Sequence, residues 1–203
     1  MLRSILIIVA VAAFQATPAV AADRTIVVLG DSLSSGYGIA ADESWVALLA
    51  EHLKEKAYGY RVVNASIPGD TSTGGLARLP DLIERHTPNI VVIELGGNDG
   101  LLGQPVGRLR ENLSKMIELV KGFGGQAVLA GIQIPPNYGP AYTQALAKVY
   151  PDLARKFHVP LVAFLLQGVA LHPELMQADH IHPNAAGQKI VFENVWRVLS
   201  KLL

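Results

Sequence analysis

Short, nearly continuous runs of Val, Ile and Leu alternate along the chain with longer stretches in which apolar residues return every three or four positions. The runs at 25–30, 61–66, 89–95, 126–132 and 159–164 predict five strands. They lack the apolar–polar alternation of a half-exposed strand, which predicts a parallel sheet covered on both faces. Between them, 44–56, 73–86, 107–122 and 140–158 carry the spacing of amphipathic helices, and 184–203 closes the chain as another. In that last stretch Val191, Val195, Val198 and Leu199 share one face, while Lys189, Glu193, Arg197 and Lys201 point elsewhere. Strand and helix in alternation, joined by short links, predict a doubly wound α/β domain of three layers, α/β/α. In such sheets ligands bind beyond the carboxyl ends of the strands, so the turns after the strands are the place to look for chemistry.

The N-terminus follows a different pattern. Arg3 precedes an apolar segment from Ile5 to Phe14, and Ala19-Val20-Ala21 supplies the small-x-small pattern of a signal-peptidase site. A bilayer span needs about 20 apolar residues, and Gln15, Thr17 and Pro18 interrupt this one early. Residues 1–21 are therefore expected to be a cleaved export signal and 22–203 a single domain, periplasmic or released. No second stretch is long and apolar enough to span a membrane.

Composition narrows the partners. Seventeen basic and seventeen acidic residues cancel, and without Arg3 the mature chain carries one net negative charge. That balance offers no electrostatic case for nucleic acid or an anionic membrane. The absence of cysteine excludes thiol chemistry. A monomer acting on a small molecule is the default expectation.

Four turns hold the candidate chemistry. After the first strand, Gly30-Asp31-Ser32-Leu33-Ser34 puts a serine where its hydroxyl can face the crevice, although a turn serine also caps helices. After the second, Gly69 offers an N–H that a substrate oxygen can approach closely, or is a glycine needed only for its backbone angles. After the third, Gly96-Gly97-Asn98-Asp99 can deliver the Asn98 carboxamide as a donor to the oxyanion of acyl transfer, or is a plain turn. Near the C-terminus, Asp179-His180-Ile181-His182-Pro183 places a carboxylate three residues before a histidine, within reach of its Nδ1. A histidine oriented in that way is a competent general base.

Two other patterns are weaker. Asp179, His180 and His182 resemble metal ligands, but zinc sites draw further ligands from a separate element, and His52, His86, His158 and His172 are scattered. The stretch Gly36-Tyr37-Gly38-Ile39-Ala40-Ala41 fits G-x-G-x-x-A, yet the next helix starts near Ser44 and the second strand ends without an acidic residue. A dinucleotide site needs both.

In this order and spacing the four turns resemble the blocks of the SGNH (GDSL) hydrolase family, across nearly the whole mature chain. The resemblance implies Ser32 as nucleophile, His182 as base and Asp179 as its orienting partner, with the Ser32 N–H, the Gly69 N–H and the Asn98 side chain as oxyanion hole. It also implies a five-stranded sheet of flavodoxin-like order and no cofactor. The stretches Leu95-Gly96-Gly97-Asn98-Asp99-Gly100-Leu101-Leu102-Gly103 and Pro135-Pro136-Asn137-Tyr138-Gly139 are similar to the small, exported, multifunctional thioesterase/lysophospholipase/arylesterase group within that family. Ile67, Leu76, Leu79, Ile132, Ile134 and Pro135 follow strands two and four, and either line an acyl groove or belong to the core. Gly74-Gly75 is a candidate hinge. The expected function is hydrolysis of acyl thioesters, lysophospholipids and short aryl esters. A carbohydrate O-deacetylase of the same family and a non-catalytic periplasmic module with an anion nest are the competing functions.

Overall fold

The computed structural model describes residues 24–203; the expected export signal at 1–21 lies outside the described residues. The strands are β1 Arg24–Gly30, β2 Tyr60–Asn64, β3 Ile90–Glu94, β4 Gln126–Ala130 and β5 Leu161–Val162. All pair in parallel, in the order β2-β1-β3-β4-β5. This is the expected three-layer α/β architecture with flavodoxin-like order. Because β1 is flanked by β2 on one side and β3 on the other, the direction of winding reverses between β1 and β3. A crevice opens at that point, at the carboxyl ends of the strands.

The helices are α1 Ser32–Ser35, α2 Trp45–Glu55, α3 Ser72–His86, α4 Gly97–Leu101, α5 Val106–Phe123, α6 Pro140–Phe157 and α7 Ala185–Leu199. Helices α2 and α7 cover one face of the sheet, and α3, α5 and α6 the other. Burial on both faces explains the apolar runs: Ile26–Leu29 of β1 and Ile90–Ile93 of β3 are essentially inaccessible to water. Side chains close the helix starts, Ser44 to Ala47 N–H, Thr71 to Gly74 N–H and Asn184 to the N–H of Ala186 and Gly187.

Two differences from the sequence expectation matter for the site. Strand β5 is far shorter than 159–164: Pro160 has no N–H to donate, and after Val162 the chain turns so that Leu165 N–H bonds to Gly131 O at 2.9 Å. Helices α1 and α4 were not anticipated, and each carries a proposed site residue within its first two positions. Gly74 and Gly75 belong to the first turns of α3 and form no separate loop. A Cβ on Gly75 would lie 2.2 Å from Leu95 Cδ1, so that glycine permits close packing of α3 on the end of β3.

Candidate active site

Ser32 opens α1 directly after β1, and His182 immediately precedes the segment that caps α7. Their side chains meet, with Ser32 Oγ 2.8 Å from His182 Nε2 across 150 residues of sequence. On the other side of the ring, Nδ1 lies 2.7 Å from Asp179 Oδ2. The other Asp179 oxygen accepts the backbone N–H groups of Ile181 and His182, at 2.9 and 3.0 Å. Burial would raise the Asp179 pKa, but hydrogen bonds from the His182 ring and from these two N–H groups outweigh it and lower it to about 2. An ionised Asp179 requires a donor, so the ring proton sits on Nδ1 and the Nε2 lone pair faces Ser32.

The loop that carries this pair is tightly built. Gln177 N–H bonds to His182 O at 2.8 Å, His180 adopts a left-handed conformation with φ 57°, and Met176 and Pro183 form an isolated antiparallel bridge. The Gln177 side chain donates to Tyr37 O and Pro183 O, at 2.8 and 3.0 Å. Gly38 of the Gly36-Tyr37-Gly38 stretch serves this contact: a Cβ there would fall 2.1 Å from Gln177 Oε1. The Tyr37 ring lies 4.7 Å from the His182 ring, centroid to centroid. Sequence reasoning passed over Tyr37 and Gln177, since their contact joins segments 140 residues apart.

Gly69 sits in an exposed turn with φ 80°, closed by Asp70 N–H to Ile67 O at 3.1 Å. Among the described residues, no acceptor takes the N–H of Gly69 or of Ser32. Asn98 differs. Its Nδ2 donates to Asp31 Oδ2 at 3.0 Å and to Asp70 O at 2.9 Å.

Beneath Ser32 lies a pair of buried carboxyl groups that the sequence analysis did not single out. Glu94 Oε2 accepts from Ser34 Oγ at 2.6 Å and from Asp31 N–H at 3.3 Å, and Ser34 Oγ in turn accepts from Trp45 Nε1 at 3.2 Å. Glu94 Oε1 has no partner among the described residues. Burial, and after it the neighbouring Asp31, raises the Glu94 pKa well above its ordinary value. Burial likewise pushes Asp31 up to about 6, against the pull of Leu33 N–H and His182. The sequence signal was a lone acid closing the otherwise apolar run Ile90–Ile93.

A cavity of about 580 Å³ opens beside Ser32, Asn98 and His182. Of the six acyl-groove candidates, Ile132, Ile134 and Pro135 line it. Leu79 is fully buried in the core, and Leu76 lines a separate groove between α3 and α5. Ile67 is exposed and outside the lining. The missed part of the wall is Phe164, Leu166, Leu171, Met176 and Ile181, from the segment that follows β5. Among the described residues no group of three or more His, Asp or Glu side chains could hold a metal ion, and no helix is long and apolar enough to cross a membrane.

Comparison with known proteins gives a consistent family. Residues 28–190 match the GDSL-like lipase/acylhydrolase family. The chain is 50% identical to Esterase TesA of Pseudomonas aeruginosa over 183 residues, covering 90% of this chain and 91% of that protein. It is 44% identical to Thioesterase 1/protease 1/lysophospholipase L1 of Escherichia coli, over 90% of this chain and 86% of the relative. A solved crystal structure of TesA superposes with a TM-score of 0.86 at 49% identity, covering 89% of this chain and all of that one.

Proposed function

The chain belongs to the GDSL-like lipase/acylhydrolase family and is a carboxylic ester and thioester hydrolase, and from that premise we propose that it works through a Ser32–His182–Asp179 triad and an acyl-enzyme. The observation that carries this reading is the unbroken hydrogen-bonded series Asp179–His182–Ser32 at the mouth of an apolar-walled cavity. His182 Nε2 takes the Ser32 hydroxyl proton as Oγ attacks the substrate carbonyl carbon. The carbonyl oxygen gains the electron pair and is met by the N–H groups of Ser32 and Gly69 and by the Asn98 carboxamide. Collapse of the intermediate expels an alkoxide or thiolate, which receives the proton from His182. Water then repeats the sequence on the acyl-enzyme and restores Ser32.

The substrates in this reading are acyl-CoA thioesters, lysophospholipids and short aryl esters, with the acyl chain against Ile132, Ile134, Phe164 and Leu166. Such a wall favours an aliphatic chain over a sugar acetate. Residues 1–21 are assigned in the same proposal to a cleaved export signal that places the enzyme in the periplasm.

The test is labelling with a fluorophosphonate, followed by turnover of p-nitrophenyl acetate, p-nitrophenyl octanoate and palmitoyl-CoA. The wild type is expected to be labelled at Ser32. Ser32→Ala should escape labelling, and both Ser32→Ala and His182→Ala should lose turnover. Label elsewhere, or none, would remove the triad. Turnover confined to the acetate would replace the lipid substrates with a deacetylase activity.

A further inference from the structure

Arg78 lies in α3, outside the cavity lining, with only 20% of its side chain exposed. Its guanidinium spends its donors on the two loops that flank the crevice. Nε donates to Asp70 Oδ2 at 2.8 Å, and Nη2 reaches the same oxygen. Nη1 donates to Ala65 O, and Nη2 also lies 3.3 Å from Gly30 O. Gly30 is two residues before Ser32, and Asp70 directly follows Gly69. The Asp70 carbonyl, in turn, accepts from Asn98 Nδ2. One side chain therefore holds a carbonyl two residues before Ser32 and the carboxylate next to Gly69, and through Asp70 it reaches the third proposed donor.

The surrounding residues are shaped to seat this contact. Asp70 Oδ1 accepts Thr71 N–H at 2.9 Å, and a Cβ on Gly74 would fall 2.0 Å from that oxygen. Only a residue without a side chain at 74 leaves the Asp70 carboxylate its place. The Gly30 carbonyl that Arg78 approaches also takes Ile67 N–H at 3.0 Å, which ties the start of the Gly69 turn to the end of β1. A flat guanidinium with donors in fixed directions can serve a carboxylate and two carbonyls together, whereas the ammonium of lysine cannot match that fork.

We propose that Arg78 is a positioning residue for the oxyanion hole: by holding Gly30 O, Ala65 O and the Asp70 carboxylate together, it sets the spacing between the Ser32 N–H, the Gly69 N–H and the Asn98 carboxamide. The proposal rests on the oxyanion hole described under the proposed function. Its consequence is selective. Oxyanion donors act only within about 2.7–3.1 Å of the developing charge, and a misplacement of about 1 Å can cost about 10²-fold in rate. The acyl chain, by contrast, lies against residues after β4 and β5 that Arg78 does not touch. Loss of Arg78 should lower kcat and leave KM almost unchanged.

The experiment compares the mature wild-type enzyme with Arg78→Met, Arg78→Lys and Asn98→Ala. Active sites are counted by the end point of fluorophosphonate labelling, so that misfolded protein drops out. Then kcat and KM for p-nitrophenyl octanoate are measured per labelled site, together with the affinity for an alkyl boronic acid, whose adduct with Ser32 places a charged oxygen in the hole. Arg78→Met is expected to lose about 10- to 100-fold in kcat with KM within about twofold, and boronic acid affinity should fall by the same factor. Arg78→Lys should lie between wild type and Arg78→Met, and it decides the matter if Arg78→Met yields no labelled sites. Wild-type kcat per site in the Arg78 variants beside a slowed Asn98→Ala overturns the clamp and leaves the hole standing. Wild-type kcat and boronic acid affinity in Asn98→Ala overturn the hole and the clamp together. A loss seen only in KM also overturns the clamp.

Discussion

Asn98 commits both hydrogens of its carboxamide inside the free enzyme, to Asp31 and to the Asp70 carbonyl. In the proposed hole an oxyanion must therefore share one of them, unlike the N–H groups of Ser32 and Gly69, which have no acceptor among the described residues. Deleting one oxyanion donor costs about 10²–10³ in kcat, and Asn98→Ala is expected at the lower end, about 10², in steady-state turnover of p-nitrophenyl octanoate. Asp31 and Glu94 are the residues at this scale that sequence reasoning left without a role. A serine 2.8 Å from a histidine 150 residues further along the chain cannot be seen in a string of letters, but four turns of recognisable chemistry could be matched to a family. Nothing comparable marked Glu94, whose meaning depends on Ser34 and Trp45 closing over it.

At the scale of elements, the long periodic helices and the four longer strands were legible, because each buries a face large enough to leave a pattern. The pieces that escaped, α1, α4 and the two-residue β5, are too short to show a period. They are set by contacts such as the Asp31 cap on Leu33 N–H at 3.0 Å. Glycine in α3 was open to two interpretations, hinge or packing, and the neighbour that decides between them, Leu95, lies just beyond β3. Gly75→Ala is thus expected to strain a packed contact and to destabilise the fold by about 1–3 kcal/mol. A lowered urea midpoint with an unchanged m-value would register it. A more stable Gly75→Ala protein would show that α3 has room to retreat.

Across the whole molecule, the buried acids give stability a pH dependence whose sign can be worked out. Asp31 holds its proton more tightly when folded, so its contribution favours the fold at low pH and is lost as pH rises from 3.8 to about 6. Glu94 acts in the same sense from 4.5 upward. Asp179 acts in the opposite sense: its contribution is present above 3.8 and lost as pH falls towards about 2. From pH 4.5 to about 6, Asp31 and Glu94 should pull the unfolding temperature down as pH rises, a decline read by calorimetric scans. Glu94→Gln should flatten that decline; an unaltered slope would mean that Glu94 titrates alike in both states. The cavity is a whole-molecule property too. Its β4 side was visible in the sequence, but the wall after β5 comes from a segment without periodicity that acquires a surface only against its neighbours.

The loop from Met176 to Pro183 is closed upon itself, and it carries both His182 and Asp179, while Ser32 and the oxyanion donors all precede residue 99. With the proposed triad, a chain emerging from the ribosome would therefore complete its nucleophile and its anion site long before it possessed a base. In that proposal, catalytic competence waits for the Met176–Pro183 loop and the α7 helix that follows it. Hydrolytic activity is accordingly a reporter of C-terminal completion, and two fragments divided upstream of Met176 would be the natural halves of a complementation assay.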